Sequence, residues 1–222
     1  MSLEFEIPLV SLIFILILNI VYFSKKRADL EENKPYKVIL ISSLIVAAID
    51  TVIHIICSAN TFESIVNNYY TLLNYLNKIL SSLFSVIFSN LFFYTLLITY
   101  DKVRKNPKKI STILIIANIV FSVIMLFTNI KLVDAKVATN VTGATTMLGY
   151  AMVAIMLTGS LLVALTNIKK LDKRYLPIFI VFLLLVILYF FSLLIPGMII
   201  YDLILALMCY IMYFTIENPD MK

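Results

Sequence analysis

The sequence predicts an all-α integral membrane protein, built as a bundle of seven transmembrane helices. Seven apolar stretches run through the 222 residues, and each is close to the ~20 residues that a helix needs to cross ~30 Å of hydrocarbon. The chain is 62% hydrophobic and 14% charged, whereas soluble proteins average about 25% charged residues. Because lipid offers the backbone no hydrogen-bonding partner, stretches of this kind are expected to be helical.

The predicted spans form one domain, residues 1–214, and residues 215–222 begin a cytoplasmic linker. The spans are Ile7–Phe23, Lys37–Cys57, Leu72–Tyr100, Ile110–Ile130, Met147–Leu165, Leu176–Ile195 and Met198–Phe214. The first is expected to remain as an anchor, because acidic Glu4 and Glu6 precede it and the basic residues follow it. The longest loops, Ser58–Tyr70 and Lys131–Thr146, are too short to fold alone, and Pro196-Gly197 forms the last hairpin.

The basic residues predict the orientation of the bundle. Fifteen of the 18 Lys and Arg follow the first, third, fifth and seventh spans. Only Lys78, Lys131 and Lys136 fall on or near the other side. Positive loops stay in the cytoplasm, so the N-terminus is expected outside and the C-terminus inside. The net charge of +5 then reflects topology and anionic headgroups, and no nucleic-acid partner is expected.

Motifs for enzymes and carriers are missing from this sequence. It has no glycine-rich phosphate loop, GxSxG, CxxC or HExxH, so the chain as given is not expected to be an enzyme or to hold a cofactor. Apart from Gly159, no Pro or Gly interrupts a span in the manner of many transporters. Cys57 and Cys209 differ in depth by about 15 Å of helix and are not expected to form a disulfide.

Four ionisable residues stand out in the interior of the predicted spans, namely Asp50, His54, Lys78 and Asp202. An ionisable group at such depth defaults to a functional hypothesis, because burying it in lipid costs several kcal/mol. Counting ~1.5 Å per residue from the outer ends of their spans places all four within the outer third of the bilayer. They are expected in one bundle interior, with Lys78 near a carboxylate.

Two interpretations of these charges stay open. They form either a structural ion pair, with Lys78 reaching the headgroups, or the floor of a ligand cavity with Asn74, Tyr75 and Tyr201 at its rim. Asp50 and His54, at i and i+4, are either a hydrogen-bonded pair or a pH-sensitive group. The ligand types are too few for a metal site. Mid-span Ser89, Asn90 and Asn118 are expected to hydrogen-bond between helices.

The C-terminus carries the only family resemblance. Tyr213-Phe214-Thr215-Ile216-Glu217-Asn218-Pro219-Asp220, followed by Met221-Lys222, runs directly from an apolar span. This segment resembles the junction in bacterial sensor histidine kinases, where a multi-span sensor leads into a coiled coil and then the kinase domains. The resemblance implies a membrane sensor in a two-component system, located in the bacterial plasma membrane. It also implies a homodimer, formed through the seventh helix and a downstream coiled coil.

The sensor hypothesis has two rivals. A small transporter or channel would need a polar path across the membrane, but the polar groups stop in the outer third and the inner halves of the last three spans are almost entirely apolar. A structural partner subunit would need no pocket. The sequence does not identify the ligand, which could be a peptide, a lipid, a small metabolite or a property of the membrane.

Overall fold

The computed structural model describes residues 3–24, 31, 33–134, 139–167, 176–194 and 201–217. Within these residues the fold consists of helices and one short β-hairpin. The long helices are α1 (Leu3–Ser24), α2 (Asn33–Ala59), α4 (Tyr70–Thr99), α6 (Pro107–Phe127), α7 (Ala144–Thr166), α8 (Leu176–Leu194) and α9 (Tyr201–Glu217), and the short ones are α3 (Phe62–Ser64) and α5 (Asp101–Lys105).

Five helical segments in the described part of the chain are long and apolar enough to cross a membrane. They are Glu6–Ser24, Asn33–Ala59, Phe62–Thr99, Pro107–Phe127 and Ala144–Thr166. The sixth and seventh predicted spans correspond to α8 and α9. Their apolar helical segments within the described residues are shorter, Pro177–Ile187 and Tyr201–Ile216. α9 continues through Thr215 to Glu217, whereas Pro196-Gly197 and Asn218–Lys222 lie outside the described residues.

The predicted loop Ser58–Tyr70 is largely helical, which corrects the sequence-based assignment. The Oγ1 of Thr61 accepts a hydrogen bond from the backbone N–H of Ser64 and so caps α3. A π-helical turn, Ile65–Tyr69, then leads into α4, and the side chain of Ile65 is buried. Burial of this apolar side chain anchors the segment to the bundle. Only Asn60 and Thr61 separate the end of α2 from the start of α3.

The loop Lys131–Thr146 also differs from the prediction, because it contains the antiparallel strands β1 (Ile130–Asp134) and β2 (Thr139–Gly143). Their register pairs Ile130 with Gly143 and Asp134 with Thr139. Five of the ten strand residues are β-branched (Ile130, Val133, Thr139, Val141 and Thr142), which favours extended structure. Gly143 has φ +125°, and a Cβ there would lie 2.6 Å from the Asn129 carbonyl oxygen. The all-α class is therefore confirmed for the spans, while this loop adds a hairpin.

The helix α4 lies at the centre of the bundle, in contact with α2, α6 and α7. Its buried side chains include Ile87, Leu91 and Tyr94. Against α7, a Cβ at Gly159 would lie 3.3 Å from the Phe92 ring. Gly159, the one mid-span glycine, therefore permits close packing in a continuous helix. On the other side, α9 packs against α1, α2 and α8.

Candidate functional site

The first part of the candidate site is a carboxylate and a histidine on one face of α2. Asp50 and His54 are both buried, and the His54 Nε2 lies 3.4 Å from the Asp50 Oδ2. Their i, i+4 spacing produces this contact, as predicted. The Asp50 Oδ2 nevertheless accepts no hydrogen bond from the described residues. The histidine therefore approaches the carboxylate without hydrogen-bond geometry.

The second carboxyl group comes from the first turn of α9. Asp202 is 0% exposed, Asp50 is 4% exposed, and their side chains face each other within hydrogen-bonding reach. Within the described part of the chain, neither oxygen of Asp202 has a hydrogen-bond donor. Two ionised carboxylates in such contact repel each other strongly. The pair is therefore suited to share one proton or to bind a cationic or hydrogen-bond-donating group.

Tyr201, the residue before Asp202, also lies near these carboxyl groups. The phenol of Tyr201 lies within electrostatic range of Asp50 and Asp202. Its ring packs edge-on against Phe84 of α4, with 6.0 Å between the ring centroids. Tyr150 of α7 is also within range of the Tyr201 phenol. Tyr150 was not among the predicted site residues.

Lys78 does not join the carboxylates. Among the described residues, no ion pair connects it to Asp50 or Asp202. Its Nζ instead donates a 2.9 Å hydrogen bond to the Leu126 carbonyl of α6. The same Nζ lies 5.9 Å from the centre of the Tyr75 ring. Lys78 and Tyr75 therefore belong to the α4–α6 side of the bundle rather than to one cavity with the carboxylates.

Asn74 is the remaining predicted site residue. No contact among the described residues connects its side chain to the carboxylates or to Lys78. Its Oδ1 atom is buried and accepts no hydrogen bond from the residues that the structure describes. The seven candidates thus separate into a carboxyl cluster (Asp50, His54, Tyr201 and Asp202), a lysine–tyrosine pair (Lys78 and Tyr75), and Asn74.

A polar cluster joins α4 to α6 in the middle of these helices. The Oδ1 of Asn118 accepts hydrogen bonds from Ser85 at 2.6 Å and from Ser89 at 3.4 Å. The expected interhelical role of Asn118 and Ser89 is therefore confirmed, and Ser85 is an additional member. The prediction is wrong for Asn90, because its amide nitrogen donates to the Val86 carbonyl on its own helix.

Further hydrogen bonds hold α9 against its neighbours. The Tyr36 hydroxyl donates to the Cys209 carbonyl at 3.0 Å, and the Cys209 thiol donates to the Ser43 hydroxyl at 3.4 Å. The Tyr210 hydroxyl donates to the Phe14 carbonyl of α1 at 3.1 Å. No disulfide joins Cys57 to Cys209. Two hydrogen bonds at Cys209 therefore join α9 to α2, and one from Tyr210 joins α9 to α1.

The described residues of the carboxyl cluster are not arranged as a metal centre. In the part of the chain that the structure describes, no group of three or more His, Cys, Asp or Glu side chains is arranged to hold a metal ion. A proton needs only the two facing carboxyl groups, whereas Ca²⁺ takes six to eight oxygen ligands.

No protein-family model, curated protein or solved structure matches this chain.

Proposed function

We propose that this chain is the sensor module of a bacterial histidine kinase and relays a stimulus through α9 to a cytoplasmic kinase. The observation that carries the proposal is the contact between Asp50 of α2 and Asp202 of α9. Both carboxyl groups are buried, so their spacing depends on what neutralises them. α9 leads directly into the segment that resembles the kinase linker.

The physical mechanism is a shift between two arrangements of the bundle. A ligand shifts such an equilibrium only if it binds one arrangement more tightly than the other. A proton, or a donor group on a ligand, that bridges Asp50 and Asp202 stabilises the arrangement with α9 close to α2. Loss of that bridge lets the two carboxylates repel each other, which favours separation of the helices.

Seven spans, with the N-terminus outside and the C-terminus in the cytoplasm, form part of this proposal. It is supported by five helices of sufficient length, by the apolar helices α8 and α9, and by the distribution of Lys and Arg. Single cysteines introduced as Ser2→Cys and Asp220→Cys, in a background with Cys57 and Cys209 replaced by serine, test the orientation. In intact cells, an impermeant thiol reagent is expected to label the first variant only. Labelling of the second would overturn the topology.

The relay is tested with residues 1–222 fused in frame to a histidine-kinase core. One to four residues inserted after Pro219 rotate a downstream helix by ~100° each, so kinase output is expected to rise and fall across the series. Asp202→Asn is expected to fix the output at one level, because the amide can donate to Asp50 permanently. Asp101→Asn is the matched control, since Asp101 is exposed and pairs with Arg104.

Flat output across the insertion series would contradict relay through α9. It would favour the alternative function, that of a small-molecule transporter or channel. That alternative has less support, because the polar contacts of the inner α2–α9 interface are closed hydrogen bonds such as Tyr36 to Cys209. Solute uptake into vesicles containing the purified chain would support transport, and loss of that uptake in Asp50→Asn would assign the path to the carboxyl cluster.

A further inference from the structure

A groove runs between α4 and α6, and its lining does not include the residues of the carboxyl cluster. It encloses about 720 Å³. Along α4 its lining extends from Tyr75 and Lys78 to Phe93. The 15 helical positions between Lys78 and Phe93 correspond to about 22 Å, which exceeds the ~15 Å of one hydrocarbon leaflet.

Lys78 lies at one end of this groove, close to the end of α6. The Leu126 carbonyl that accepts its hydrogen bond belongs to the last turn of α6, which ends at Phe127. Strand β1 begins three residues later, at Ile130. Because the chain leaves its membrane-spanning helix here, the ammonium lies near the level of the lipid headgroups.

The ammonium group of Lys78 retains hydrogen-bonding capacity. Lysine has three N–H donors, and the described residues supply this one with a single acceptor, the Leu126 carbonyl. The side chain is only 7% exposed, and among the described residues no carboxylate forms an ion pair with it. A buried cation without a counter-charge favours an anion beside it.

The rest of the groove is mostly apolar. Both of its asparagines direct their amide N–H groups to carbonyls of their own helices, Asn90 to Val86 and Asn118 to Leu114. The Oδ1 of Asn118 is occupied by Ser85 and Ser89. Aliphatic side chains form most of the walls, among them Ile79, Leu83, Val86, Ile115, Ile119 and Val123.

We propose that this groove binds an anionic phospholipid of the bilayer. Its phosphate would contact Lys78 at the headgroup level, and one acyl chain would lie along the walls between α4 and α6. A cation at one end and an apolar channel below it match the two parts of such a lipid. The site is separate from the carboxyl cluster, so it does not depend on the proposed relay.

The test uses the purified, delipidated full chain and native mass spectrometry. Phosphatidylglycerol and phosphatidylcholine with identical acyl chains are titrated separately. The wild-type protein is expected to retain phosphatidylglycerol about fivefold more strongly, the effect of about one lysine charge near a headgroup. Lys78→Met is expected to remove that preference, and Lys78→Arg to preserve it.

Two further variants separate the groove from general surface charge. Ile119→Trp fills the groove while leaving the charge intact, and it should weaken the binding of both lipids. Ile119 is 57% exposed, so this change does not disturb the protein core. Lys131→Met removes a neighbouring exposed lysine on β1 and should leave the preference unchanged.

Several outcomes would overturn the proposal. They are an unchanged preference in Lys78→Met, an equal loss in Lys131→Met, and unaltered lipid binding in Ile119→Trp. Displacement of the lipid by soluble glycerol phosphate at equal concentration would show a site for a free anion instead. If Lys78→Met fails to fold, Lys78→Arg and Ile119→Trp still decide the result.

Discussion

The α4–α6 and α2–α9 interfaces both bury polar side chains in the bundle, but they satisfy them differently. At α4–α6, the Asn118 side chain both accepts from Ser85 and donates to Leu114. At α2–α9, the carboxyl oxygens of Asp202 meet another carboxyl group and have no donor among the described residues. Burial alone therefore does not distinguish structural polar groups from a candidate site. The two kinds of polar group are distinguished instead by whether neighbouring residues supply hydrogen-bond donors.

The largest effect on stability is expected at α4–α6. Asn118→Leu should lower the free energy of unfolding by about 1–2 kcal/mol, because the buried hydroxyls of Ser85 and Ser89 lose their shared acceptor. Reversible unfolding in mixed micelles measures this difference. Asn90→Leu is the matched control, and it should change stability by less than about 0.5 kcal/mol, since Asn90 bonds only to its own helix. Equal losses in both variants would contradict the assignment of Asn118 as an interhelical contact.

A change in the free energy of unfolding with the opposite sign is expected at the α2–α9 interface. Asp202→Asn should leave the free energy of unfolding unchanged or raise it by up to about 1 kcal/mol, because an amide N–H can donate to Asp50 and one buried charge is removed. The same unfolding measurement applies, with Asp50→Asn as the reciprocal change. A loss of more than about 1 kcal/mol in Asp202→Asn would show that the folded state needs both carboxylates, as it would with a cation bound between them.

A smaller effect on stability is expected where the polar groups that hold α9 already form hydrogen bonds. Tyr36→Phe removes a buried hydroxyl that donates to the Cys209 carbonyl, and about 0.6 kcal/mol of stability should be lost. Tyr210→Phe is the comparison, because its hydrogen bond to Phe14 is exposed and its removal should have almost no effect. Thermal unfolding of both variants in the same detergent distinguishes them, and the reverse order would contradict this account of how α9 is held.

Local patterns explain which features of the site could be predicted. The i, i+4 spacing of Asp50 and His54 fixes their contact within a single helix. The shared depth of Asp50 and Asp202 correctly indicated neighbouring positions on two helices. Predicted depth does not specify which neighbouring helix a side chain faces, and Lys78 lies instead beside the C-terminal turn of α6.

The two longest predicted loops show the corresponding limit for the fold. Polar composition and a length of thirteen residues suggested a loop at Ser58–Tyr70, yet burial of Ile65 accompanies a helical path. The hairpin of β1 and β2 depends on pairing between strands. Such pairing depends on contacts across the two strands and is only weakly encoded in the individual residues.

The sequence by itself determined that the chain is helical and suited to a membrane, because apolar stretches of this length have one stable backbone solution in lipid. It also determined the candidate charges, because ionisable residues are rare at such depths. Only the tertiary structure decided that Asp202 faces Asp50 while Lys78 binds the end of α6. Helix neighbours and rotations are set by side-chain packing between distant segments, and neither periodicity nor hydropathy encodes that packing.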